Sequence, residues 1–294
     1  MSNAPAIVAA GTPIRPRPFA LLELAQRNRG VLVGLVFVGA LFLIALVSPF
    51  ISPHDPIATE PDNAYLPPLS PGHVLGTDEL GRDQISRVLW GARVSLPVAL
   101  VAVAVGLVGG GALGMVSGYA GGLTDLLVMR VVDALLAFPA LILAIALVAA
   151  LGPNLRNAMI AIGIVAIPVY ARLVRAVVLQ LKQMEFVMAT RSLGASPIRL
   201  IVRHLIPNLM NPILVQISLS AGFAILAEAV LSFLGLGAQP PTPDWGQMIT
   251  TGRTFLPNDP WLAIVPGIAI SITVYSFNLL GDSLRDALDP RLRS

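Results

Sequence analysis

Long stretches of this chain hold almost no charge, and the polar residues are gathered into the connections between them. Residues 94–124 and 262–281 contain no Asp, Glu, Lys or Arg. Neither stretch alternates apolar and polar positions as a barrel strand would over about ten residues. A bilayer core of roughly 30 Å needs about 20 mostly apolar helical residues per crossing. Six runs meet that need, at 30–50, 95–118, 131–151, 158–178, 209–234 and 261–281. The pattern predicts an all-α integral membrane protein with six transmembrane helices in a single membrane domain.

The connections predict how those helices are oriented. Arg15, Arg17, Arg27 and Arg29 precede the first run, and an excess of arginine marks the cytoplasmic side, so residues 1–29 are expected to form a Pro-rich cytoplasmic tail. No convincing small-residue cleavage site follows the run, and it is read as an uncleaved first span. Segment 51–93 carries Asp55, Glu60, Asp62, Asp78, Glu79 and Asp83 against Arg82, Arg87 and Arg93, and is expected outside. From residue 172 to 204 the balance reverses, with Arg172, Arg175, Lys182, Arg191, Arg199 and Arg203 against Glu185 alone. Loop 178–208 is therefore the strongest inside-facing segment. The 152–157 turn and the Pro-rich 235–260 loop return to the outer face, and parity places the 282–294 tail in the cytoplasm. The first span and its outer segment thus precede a core at 94–281 that holds five spans.

Composition agrees and excludes other classes. Of the 294 residues 55% are hydrophobic and 12% charged, with a mean hydropathy of +0.80, unsuited to a soluble surface. The isoelectric point of 9.8 invites a nucleic-acid reading. All but one of the 19 basic residues are Arg, however, spread over membrane-flanking segments without interleaved aromatic or zinc-finger patterns. The chain has no cysteine, so disulfides and thiolate metal sites are excluded.

Catalytic motifs are missing. A phosphate loop needs Gly-Lys-Ser/Thr, yet the only lysine, Lys182, is followed by Gln183. His54, His73 and His204 lie in different segments without the i, i+4 spacing that brings two imidazoles to one metal, so no metal site is expected. Glu228 sits well inside the fifth run. A carboxylate at that depth is costly and faces protein or water, either as a path-lining or gating group or as a structural partner for a backbone or hydroxyl group. Asp133, near the cytoplasmic end of the third run, is read as structural. Gly106, Gly110, Gly114 and Gly118 recur every fourth residue, one bare helix face that predicts close approach of another helix.

The basic loop reads as a short amphipathic helix from Glu185, a break at Gly194 and a second helix opening at Pro197, where proline suits a helix start. Such a pair is suited to docking into another protein's groove. These residues resemble the loop of permease subunits in bacterial binding-protein-dependent ABC importers, Glu-Ala-Ala-x3-Gly-x9-Ile-x-Leu-Pro. Here Met188-Ala189-Thr190, Gly194 and His204-Leu-Ile206-Pro207 stand at the family spacing; Ala189, Gly194 and Pro207 match. Met188 replaces the family glutamate, with Glu185 one turn earlier as its candidate substitute. Gly76-Thr-Asp-Glu-Leu-Gly-Arg-Asp83, Ser86-Arg87, Gly91-Ala-Arg93, Gly235-x-Gly-Ala-Gln-Pro-Pro-Thr-Pro-Asp-Trp-Gly246 and Arg285-Asp-Ala-Leu-Asp-Pro290 are similar to the second permease subunit of dipeptide, oligopeptide and nickel importers.

The resemblance implies a type I importer transmembrane domain of the MetI-like kind in the bacterial inner membrane, surrounded by lipid. It further implies a heterodimer with a sister permease, two cytoplasmic ATP-binding subunits that hold ATP and Mg, and an extracytoplasmic substrate-binding protein. This chain would be non-catalytic and without a cofactor of its own, and its cargo would be peptides or, in the same machinery, nickel chelates or another small solute. The loop would carry ATPase coupling through Glu185, Met188, Ala189, Thr190, Gly194 and Pro207. The Thr-Asp and Arg-Asp pairs of 76–83 are expected to cap a short interfacial helix before span two, or to contact the binding protein or peptide. An ion-coupled transporter would need no docking helix, and a membrane enzyme would need a polar cluster near one interface that the sequence does not assemble.

Overall fold

A computed structural model describes Ala25 and residues 28–288. Most of the tail expected at 1–29, and residues 289–294 of the tail expected at 282–294, lie outside the described residues. Helix α1 is Arg29–Ile51, opened by Asn28, whose side chain accepts from the Gly30 and Val31 amides. Helix α2, Gln84–Ala120, starts eleven residues before the run that predicts it, with Asp83 as its N-cap. The separate interfacial helix expected there does not exist, because residues 84–94 are the first turns of the span itself.

The third span also differs from expectation. Instead of one helix over 131–151, α3 (Gly122–Leu136) and α4 (Ala140–Leu151) meet at 89°. Phe138-Pro139 lies between them, and proline both lacks an amide for the helix ladder and disfavours helical geometry in the residue before it. Residues 122–130, which precede the third run, accordingly belong to α3. Helix α5 is Leu155–Lys182. The loop helix α6, Glu185–Ser192, is followed by α7, Pro197–Leu200, and by a π-helical turn, Ile201–Leu205. These run on into α8, Ile206–Phe233. Pro207 sits at the junction and has no amide to donate back, a circumstance in which a helix widens to a π turn.

Helix α9, Trp245–Thr254, lies inside the connection expected as loop 235–260 and is capped by Asp244. Helix α10, Trp261–Leu288, continues seven residues past the expected end of span six, so the first part of the expected tail is helix. Ser283 and Leu284 remain buried there while Asp282, Arg285 and Asp286 face outward. Among the described residues, five helices are long and apolar enough to cross a membrane, or six spans if the bent α3–α4 pair counts as one.

The most extensive helix interface joins α2 and α5, and the glycine row forms it. A Cβ on Gly106 would come within 2.7 Å of the Ala166 Cβ, and one on Gly118 within 3.0 Å of the Val178 Cβ. At Gly110 and Gly114 it would strike the carbonyls of Ile167 and Ala171. Gly163 answers from α5 by admitting Val105. In lipid no hydrophobic drive distinguishes partner from solvent, and close backbone contact supplies the attraction instead. Helix α8 packs on α10 and α2, with α1 outside against α10 and α2. The main core gathers Leu96, Ile162, Tyr170, Ile225 and Leu231. Helix α1 leaves Val36, Leu43, Leu46 and Phe50 exposed, as a helix facing acyl chains does.

Candidate functional site

The two ends of the bundle differ in chemistry. At one end, segment 52–83 and the turn before α9 close over the helices. Gly76 and Gly81 both have positive φ, 77° and 73°, and their faces press on other backbone: a Cβ on Gly81 would collide with the Glu60 carbonyl and one on Gly76 with that of Leu66. Glycine at both places follows from conformation and from space. Thr77 is tied by its hydroxyl to the Asn63 carbonyl and the Leu66 amide.

Asp78 accepts from Arg82 Nε at 2.7 Å and faces Arg87 Nε at 3.3 Å, while Arg82 also donates to Glu79 at 2.9 Å. Arg87 Nη1 donates to the Pro56 carbonyl at 3.0 Å. Burial, followed by the neighbouring Asp78 charge, pushes the Glu79 carboxyl above its ordinary range. The acidic motif thus folds onto itself and onto α2. The α9 helix docks alongside, where Trp245 Nε1 donates to the Val88 carbonyl at 2.9 Å and its indole covers Gly91, a position with no room for a side chain.

Glu228 belongs to this end. It is wholly buried on α8, about one turn from the helix terminus, where Ser232 Oγ donates to its Oε1 at 2.9 Å and Asp244 lies beside it. Asp244 is itself buried and receives the Gly246 and Gln247 amides. Glu228 is thereby enclosed within the chain, its Oε1 on a hydroxyl group and its Oε2 buried without a hydrogen-bond partner.

At the opposite end, charges pair across helices. Arg175 on α5 clasps Asp125 of α3 through Nε and Nη2, each at 2.6 Å, and Arg172 reaches Asp133 at 2.7 Å. Lys182 Nζ donates to the Gly118 and Tyr119 carbonyls at the C-terminus of α2, where a cation also complements the helix dipole. Beyond these lies the loop. Val187, Leu200, Leu205 and Leu209 form a small core with Val174, Val178 and Leu181 of α5, which seats α6 and α7 on the bundle.

Thr190 donates to the Phe186 carbonyl, and Gly194 ends α6 at φ 79° with its amide on Arg191. Ser196 caps α7. The outer side of this platform presents large apolar side chains beside charged ones: Met188 is 49% exposed, Ile198 75% and Leu193 88%, with Arg191 and Arg199 exposed among them. Glu185 and Ala189 are exposed beside them. Pro207 sits in the first turn of α8, behind the platform. Leu193 and Ile198 escaped the sequence reading, which followed motif positions; their signal was large apolar side chains at a predicted helix break.

A bent helix pair within a bundle of long apolar helices, with a two-helix platform at one end, is the fold of ABC-importer permeases. The inward-facing methionine transporter MetNI shares it, with a TM-score of 0.57 at 18% identity over 70% of this chain and 98% of that one. An amino acid ABC transporter does so at 0.52 and 15%, over 67% and 92%.

The family is narrower than the fold. Residues 110–294 match the model of the binding-protein-dependent transport system inner membrane component, and residues 26–68 match the N-terminal transmembrane domain of oligopeptide transport permease C. The chain belongs to this family of inner-membrane permease subunits. It is 45% identical to the dipeptide transport system permease DppC of Alkalihalophilus pseudofirmus, over 92% of this chain and 88% of that one. It is 40% identical to DppC of Haemophilus influenzae over the full length of both. The di/tripeptide permease DppC of Pseudomonas aeruginosa is 43% identical over 100% of this chain and 98% of its own.

Proposed function

We propose that this chain and a sister permease form the transmembrane path of an ATP-driven peptide importer, fed by an extracytoplasmic binding protein and powered by two cytoplasmic ATP-binding subunits. The peptide cargo rests on the kinship with dipeptide permeases. Docking rests on a single observation: Met188, Leu193 and Ile198 are held outward on a platform whose inner face is buried. Apolar side chains on an ordered helix pair, outside the bilayer run, fit the groove of a partner.

Glu185 stands in the first exposed turn of α6 and supplies the carboxylate that Met188 lacks. ATP and Mg belong to the partner subunits, and this chain binds neither. The arginine balance supports a cytoplasmic loop and N-terminus, and the parity of six spans supports a cytoplasmic C-terminus with segment 52–83 outside. Closure of the ATP-binding subunits would push the platform and, through α5 and α8, bias the bundle between inward-open and outward-open states.

The test is uptake and peptide-stimulated ATP hydrolysis by the reconstituted complex with Gly194→Pro. Proline cannot adopt φ near 79°, so the turn between α6 and α7 must change. Insertion is expected to persist while stimulated hydrolysis is lost. Unchanged uptake would refute the docking role, and a chain that purifies alone and moves solute down an ion gradient would overturn the importer reading.

A further inference from the structure

Segment 52–83 brings together three side chains that are far apart in sequence. His73 Nδ1 lies 2.9 Å from Asp83 Oδ1, and His54 Nδ1 lies 3.7 Å from the same oxygen. The two imidazoles stack with centroids 4.7 Å apart. One ligand atom from each of the three residues lies within 4.8 Å of the other two. A hydrogen bond between His73 and Asp83 explains one imidazole. The other is unexplained, because His54 Nδ1 is buried and has no hydrogen-bond partner. A buried polar atom left in that state is costly.

We propose that His54, His73 and Asp83 form a binding site for a divalent transition ion of the zinc class. In four-coordinate zinc, ligand distances near 2.0–2.2 Å place neighbouring donor atoms about 3.4 Å apart, and the two histidine–aspartate separations fall on either side of that value. Two imidazoles and a carboxylate favour zinc over the hard cations calcium and magnesium, which take oxygen ligands.

The supporting contacts are those such a site requires. Asp83 Oδ2 accepts from the Ser86 amide at 2.9 Å and from its hydroxyl at 2.7 Å, which turns Oδ1 toward the histidines. The His54 backbone amide donates to the same Ser86 hydroxyl at 3.1 Å. Three protein donors would leave a fourth zinc position for water, and His54 also lines a groove of about 890 Å³ shared with Trp90, Arg93, Pro241 and Pro243. A bound ion would fasten the start of the segment, its middle and the N-terminus of α2 together.

Asp83 caps α2, so the decisive variants are His54→Ala and His73→Gln. The ring of His54 makes no hydrogen bond that its loss would break, and its backbone bond to Ser86 survives. The assembled transporter, purified without a polyhistidine tag and stripped with chelator, is dialysed against zinc chloride, and bound zinc is measured by mass spectrometry. The wild type is expected to retain one more zinc ion per copy of this chain than either variant, and to gain thermal stability on zinc addition that the His54→Ala protein does not. Calcium chloride is expected to give neither effect. Equal zinc content in wild type and a monodisperse His54→Ala protein overturns the proposal, as does binding of calcium in place of zinc.

Discussion

Gly81 and Gly194 share a backbone conformation, with φ of 73° and 79°, yet they sit in opposite surroundings. Around Gly81 the chain is closed: an added Cβ would collide with the Glu60 carbonyl, and the neighbouring Asp78 is paired with both Arg82 and Arg87. Around Gly194 nothing lies within 4 Å of that Cβ, and large apolar side chains face outward. Segment 52–83 is tied down by backbone contact and ion pairs within this chain. The 185–200 platform is ordered beneath and bare above, as expected of a surface completed by another subunit.

The sharpest way to break the comparison is to open the closed end. Asp78 is buried between Arg82 and Arg87, and removing one member of a buried ion network leaves uncompensated charge at a cost of about 3–5 kcal/mol. Asp78→Ala is expected to lower the melting temperature of the purified complex strongly and to reduce its yield from membranes. A variant as stable as the wild type would show that the network contributes little to the fold.

A matched pair of substitutions comes next. Alanine at φ near 75° costs roughly 1–2 kcal/mol in either place, but at position 81 the collision with Glu60 adds to that strain. Gly81→Ala is expected to destabilise by about 2–4 kcal/mol, clearly more than Gly194→Ala in parallel thermal melts. Equal losses would mean that backbone strain alone governs both sites.

Much of this architecture was legible in the sequence, for reasons that particular residues make plain. Uncharged runs of about 20 residues announce spans because the bilayer thickness sets their length, and the four-residue glycine interval announces a close helix contact whose partner, α5, only the structure identifies. The start of α2 escaped notice because Arg87 and Arg93 resemble loop residues. Arg87 is in fact buried against Asp78 and the Pro56 carbonyl, a pairing no local window contains.

The bend between α3 and α4 was hidden because a hydropathy run has length and no direction, though Pro139 marked the place. The α9 helix had its signal in Asp244, a capping residue immediately before Trp245, obscured by the prolines around it. His54, His73 and Asp83 are separated by 19 and 10 residues. Their convergence depends on the path of the segment between them, so ligand spacing along the chain could not reveal it.

The smallest expected change in stability carries the most information about the open end. Leu193 is 88% exposed and caps the C-terminus of α6 through its backbone amide alone, so its substitution loses no buried side-chain contact, and a carboxylate at that helix end costs only about 0.3–1 kcal/mol. Leu193→Asp is therefore expected to lower the melting temperature of the isolated permease pair only slightly. In a groove that receives leucine, however, a carboxylate would be desolvated without a partner, so binding of the ATP-binding subunits should weaken by at least about tenfold. Co-purification and peptide-stimulated hydrolysis read that loss directly. If Leu193→Asp retains its ATP-binding subunits at wild-type affinity, Leu193 lies outside the docking contact, and the exposed apolar face must be explained by contact with lipid headgroups or the sister permease.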